Sequence, residues 1–144
     1  MPIKTFRGLM ADLVEDVITL HTNNGSTGYR IVKFELMPKV PANKTAEHVV
    51  KIYKISQDTI DGNVDFSDNT LLAAGFVNND TNAYQNPPAQ SIIFDQEVFN
   101  QDIYVTHKDM AVGESCNYYI ELEQIKLDLN ENTVATLKDI RNLA

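Results

Sequence analysis

The chain has 144 residues, 12 Lys and Arg against 20 Asp and Glu, a net charge of −8 and one cysteine. That length holds one domain with a real core, and the lone Cys116 excludes an internal disulfide scaffold. The acidic balance argues against nucleic acid as a direct partner, since phosphate recognition needs a basic face.

In chain order, the first segment is Met1-Pro2-Ile3-Lys4-Thr5-Phe6, with Asp12, Glu15 and Asp16 soon after it. The acids interrupt any long apolar run, so neither a signal peptide nor a membrane span is expected, and the product is expected to fold in the cytoplasm. Residues 1–20 read as an N-terminal arm. Spacing from Asp12 leans to helix, then to strand at Val17–His21, where Val, Ile and Thr cluster. Thr22 to Gly28 is a turn signal. Tyr29–Met37 alternates, with Arg30, Val32, Phe34 and Leu36 on one face and Tyr29, Ile31, Lys33 and Glu35 on the other. Pro38 and Pro41 end pairing, because proline has no N–H to donate. Glu47–Ser56 is the next expected strand, and Asp61-Gly62-Asn63 a tight turn.

Leu71–Val77 is nearly all apolar, as a central strand requires. A polar loop from Asn78 to Pro88 leads to short strands at Ser91–Asp95 and Gln101–His107. The last strand, Cys116–Leu127, places Tyr118, Ile120 and Leu122 on one face and Tyr119, Glu121 and Glu123 on the other. Beyond it, Val134, Leu137 and Ile140 recur at three-residue steps, which predicts a short helix over 130–144. Seven strands with turn signals between them predict an all-β protein. The expected form is one antiparallel β-sandwich domain over 1–144, jelly-roll-like, with a short C-terminal helix.

Charge is unevenly spread. Ile55–His107 contains eight acids and no Lys or Arg, whereas Tyr29–Lys54 contains six bases and two acids. The plainer reading is a set of solvated acidic loops; the sharper one is a dipolar module in which Lys51 and Lys54 meet an acidic partner surface. The apolar stripe of Val134, Leu137 and Ile140 is a second expected contact, between copies of the chain.

Little in the sequence points to chemistry. His21, His48 and His107 are far apart and read as structural, and Cys116 reads as a small packing residue. Zinc needs clustered ligands, which this spacing does not supply, so no metal, catalytic or cofactor residue is expected. Asp61-x-Asn63-x-Asp65-x-Ser67 opens like a calcium loop, but Phe66 stands where glycine is needed and Leu72 where glutamate is needed. No phosphate-binding, dinucleotide or nucleophile-elbow motif is present.

Four segments together resemble a family of small virion structural proteins of tailed, especially marine, phages. They are Gly28–Lys33, Ile92–Ile103, Cys116–Glu123 and Thr136–Arg141. The resemblance runs from about Leu20 onward and rests on packing and turn residues. It implies a non-enzymatic head decoration (cement) protein that stabilises the capsid lattice. The implied partners are the major capsid protein or other virion proteins, the implied assembly a homo-trimer, and the implied location the virion. The alternative is a receptor- or glycan-binding head module of a fibre or tail-associated protein, since jelly-rolls host both functions.

Overall fold

A computed structural model of the chain describes residues 2–22, 25–40, 46–78 and 90–128. Among them run eight strands: β1 (Ile3–Met10), β2 (Val14–Ile18), β3 (Thr27–Pro38), β4 (Glu47–Tyr53), β5 (Leu71–Asn78), β6 (Gln90–Phe94), β7 (Ile103–Asp109) and β8 (Cys116–Lys126). The expected C-terminal helix, with Val134, Leu137 and Ile140, lies outside the described residues.

The strands form two antiparallel sheets, ordered β1-β8-β3 and β2-β7-β4-β5-β6. Pairing is nested: β1 with β8, β2 with β7, and β4 with β5 innermost. The free edge of β3 is partnered by a single bridge, in which Tyr29 and Phe99 exchange N–H···O bonds of 2.8 and 2.9 Å. The chain is thus a long hairpin whose arms cross from one sheet to the other.

The two sheets share one core. Met10, Ile31, Phe34, Leu36, Tyr118, Ile120 and Leu122 of the first meet Val50, Ile52, Leu72, Ala73, Val77, Ile103 and Val105 of the second. Gly75 marks a close approach, since a Cβ there would lie 2.8 Å from Leu36 Cδ1 and 3.1 Å from Phe34 Cε2. A side chain at that point would hold the sheets apart.

The expected alternation of β8 and the buried, interior position of β5 are both present. Three expectations need correction. β1 is a full strand where an arm was expected, and β2 starts at Val14, where the spacing leaned to helix. Leu13 at the β1–β2 corner takes φ of 61°, which breaks any helix there. In β3 the pairing register shifts between Ile31 and Lys33. The bulge moves Tyr29 and Ile31 onto the buried face of Phe34 and Leu36, so the simple alternation of 29–37 fails at Val32.

Candidate functional site

The outer faces of the two sheets are built differently. On the five-stranded sheet, the outward positions Val49, Lys51 and Tyr53 of β4, Ala74 of β5 and Thr106 of β7 are all buried. The connection from β4 to β5 runs over Lys51 on this face. Ser56 Oγ and the Gln57 N–H tie its start to the Glu15 carboxylate on β2, at 2.7 and 2.8 Å. Its middle closes over Lys51, whose ammonium donates to Asp61 Oδ1 at 3.0 Å and to the Asn63 carbonyl at 2.6 Å. That nitrogen also lies 5.4 Å from the centre of the Tyr53 ring. Burial alone would pull the Lys51 pKa down, but Tyr53 and Asp61 outweigh it and hold it above its usual value. The Lys51 ammonium in turn holds the Asp61 carboxyl below its usual range.

Lys51 is only 3% exposed and Lys54 is 6% exposed, with Lys54 Nζ donating to Glu97 at 2.9 Å. The expected role of these two lysines at a partner surface is therefore corrected. Each charge is neutralised inside the chain by an acid of the 55–107 stretch. Two of the bases and two of the acids that looked segregated in sequence pair with each other within the chain, so these two lysines are not displayed to a neighbour.

The three-stranded sheet presents its outer face openly among the described residues. Register sets the side chains in rows across β1, β8 and β3: Thr5–Glu121–Lys33, Arg7–Tyr119–Glu35 and Leu9–Asn117–Met37. Tyr119 donates its hydroxyl to Glu121 at 2.8 Å, and Lys33 Nζ lies 5.8 Å from the ring centre. Leu9 is half exposed and Met37 is 66% exposed. The last two rows floor a shallow, mainly apolar groove of about 540 Å³. Leu13, Met110 and Val112, on the turns at the same end of the sheets, are also exposed. Single exposed apolar residues are ordinary, but several on one end and one face mark a contact surface.

A third feature lies inside the fold, at that same end. His48 of β4, His107 of β7 and Cys116 of β8 are completely buried, and one donor atom of each lies within 4.8 Å of the others. His107 Nδ1 is 3.0 Å from the Ala11 carbonyl, so it carries the proton, and Nε2 is left as the acceptor. His48 Nδ1 then donates to His107 Nε2 at 2.9 Å. His48 Nε2 is buried with no hydrogen-bond partner among the described residues. Burial, and then the neighbouring His107, lower the His48 pKa, and burial pushes the Cys116 thiol up to about 12. Asp109, just beyond His107, is almost fully buried and accepts N–H bonds from Glu47, Ala111, Val112 and Glu114, which fixes the β7–β8 loop around the cluster. The sequence reading missed this grouping. The only sequence signal is that both histidines fall within strands.

The calcium-like loop is used otherwise. Asp61 serves Lys51 and the Asn63 N–H, and Asp65 accepts from the Ser67 N–H and hydroxyl. These are turn-forming bonds. Among known proteins, no family model matches the chain and no curated protein matches it significantly.

Proposed function

We propose that this chain is a non-enzymatic structural protein of a tailed-phage particle, a jelly-roll β-sandwich that decorates the head and stabilises the capsid lattice. The observation that carries the reading is the open outer face of the three-stranded sheet, with Leu9, Tyr119 and Met37 set among Arg7, Glu35 and Asn117. An apolar strip with a polar rim is what a packing contact on a protein lattice needs. A glycan site wants several aromatic faces together, whereas Tyr119 is the one outward aromatic ring in this groove. The nested strand pairing supports the jelly-roll reading, with the Tyr29–Phe99 bridge where a fourth strand of the three-stranded sheet would pair.

The partner is the major capsid protein or another virion protein, reached through this face. The stripe of Val134, Leu137 and Ile140 is the proposed contact within a homo-trimer. The test is to add the purified protein to undecorated heads and count copies per particle. Capsid decoration predicts on the order of hundreds of copies, whereas about a dozen or fewer would place the protein at the tail or portal and overturn the decoration reading. Changing Leu9 and Met37 together to Asp should abolish attachment while the free protein stays folded.

A further inference from the structure

We propose that His48, His107 and Cys116 form a buried binding site for one late first-row transition-metal cation, Zn²⁺ foremost. Two imidazoles and one thiolate are a donor set for borderline-soft ions and a poor one for calcium or magnesium, which take oxygen. The three side chains come from three different strands, and their donor atoms already converge to within 4.8 Å. The facing nitrogens of the two histidines are 2.9 Å apart. Two nitrogens bound at about 2.0–2.1 Å to one tetrahedral ion lie about 3.4 Å apart, so a small turn of either ring suffices.

His107 is oriented as ligating histidines are: its second nitrogen is held by a backbone carbonyl, that of Ala11. His48 has one nitrogen more than its surroundings use, in a place that water does not reach. An ion seated between the facing nitrogens replaces their hydrogen bond with two metal–nitrogen bonds. Charge also fits. A dipositive ion with one thiolate keeps one positive charge, and Asp109, Asp12 and Glu114 turn negative charge toward the same spot. On binding, the Cys116 S–H bond breaks, a sulfur–metal bond forms and that proton passes to solvent, while the His48 proton moves from Nδ1 to Nε2 so that both histidines bind as neutral rings. The three ligands leave one position of a tetrahedral ion for a small fourth group. Because the site is closed on all sides, the ion enters during folding and acts as a clasp between β4 and β7 of one sheet and β8 of the other.

The test is to unfold the full chain in denaturant with a chelator and refold it with equimolar Zn²⁺, Co²⁺ or no metal. Refolding with Zn²⁺ should leave one equivalent bound after desalting and raise Tm above that of the metal-free sample. The Co²⁺ form should show thiolate-to-metal absorption in the near ultraviolet. Since Cys116 is the chain's single cysteine, that band reports this site alone. Cys116→Ser should remove both the band and the Zn²⁺-dependent rise in Tm, and His48→Gln should weaken retention. A protein that holds no ion and shows no thiolate band would overturn the proposal. So would retention that Cys116→Ser leaves unchanged, which would put the ion on the surface, for instance at His21 and Asp102. If Cys116→Ser does not fold, the Co²⁺ spectrum of the parent chain decides by itself.

Discussion

The two sheets teach opposite lessons about where charge and apolar surface belong. At the centre of the five-stranded sheet the chain covers its own outer face, and a lysine sits beneath the cover, held by Asp61 and the Asn63 carbonyl. On the three-stranded sheet charged and apolar side chains stand in open rows, with Lys33 and Glu35 exposed beside Met37. In a pair of the first kind the lysine is buried and the acid half exposed, and loss of the acid leaves a buried charge without its partner, which is costly. Exposed charges of the second kind are weak in stability and matter at a contact. Charges therefore do unequal work in the two places.

The largest effect is expected from the covered face. Lys51→Glu places a carboxylate beneath Asp61 and the Asn63 carbonyl, and should cost about 3–5 kcal/mol in urea unfolding, comparable with the whole stability of a modest domain. If this variant is as stable as the parent, Lys51 does not anchor the cover and the contrast fails. A smaller loss should follow from Gly62→Val. A Cβ at Gly62 would lie 2.0 Å from Met110 Sδ, so the side chain must be pushed aside. Overpacking of this kind costs about 1–3 kcal/mol, toward the lower end here because Met110 is a flexible, half-exposed chain. Met110→Ala in the same molecule should recover most of it, and a double-mutant cycle without coupling would show that the cover does not press on the β7–β8 loop.

Acid should loosen the same cover. Lys51 holds the Asp61 pKa below its ordinary value of 3.8, so the folded state resists protonation more than the unfolded state does. The contribution is present above the ordinary carboxylate pKa and is lost as pH falls through the lower folded value. Amides of residues 56–66 should then exchange faster below about pH 4 than those of β8, and Asp61→Asn should remove the difference between neutral and acid pH. Uniform exchange across that range would sever the link between Asp61 and the cover.

The smallest stability effect is expected on the open face. Met37→Asp and Leu9→Asp should each shift unfolding by no more than about 0.5 kcal/mol, because neither side chain is buried. If the chain decorates heads as proposed, attachment should nonetheless be weakened by either change. A large stability loss from either would mean that the open face is packed, and the two outer faces would no longer differ.

Much of the sheet pattern was legible along the chain because it is local. The alternation of Tyr118, Ile120 and Leu122 with Tyr119, Glu121 and Glu123 is a property of one strand, and so is the apolar run of β5. β1 was not legible, because Ile3-Lys4-Thr5-Phe6-Arg7 has no clean period and becomes a strand by pairing with β8 more than a hundred residues later. The bulge at Val32 is likewise set by what β3 must bury rather than by its own alternation. The charge pattern misled for a related reason: a count along the chain cannot see that Lys51 reaches back to Asp61, or Lys54 to Glu97.

By itself, then, the sequence determined an all-β chain of antiparallel strands, through period-two burial and the placement of turn residues. Only the tertiary structure decided which charges are internal, which face stays open, and that His48 and His107, 59 residues apart, meet beside Cys116. Strand propensity and alternation are properties of neighbouring residues. The site and the surface are products of long-range pairing, in which a nested hairpin brings together side chains that no local spacing relates.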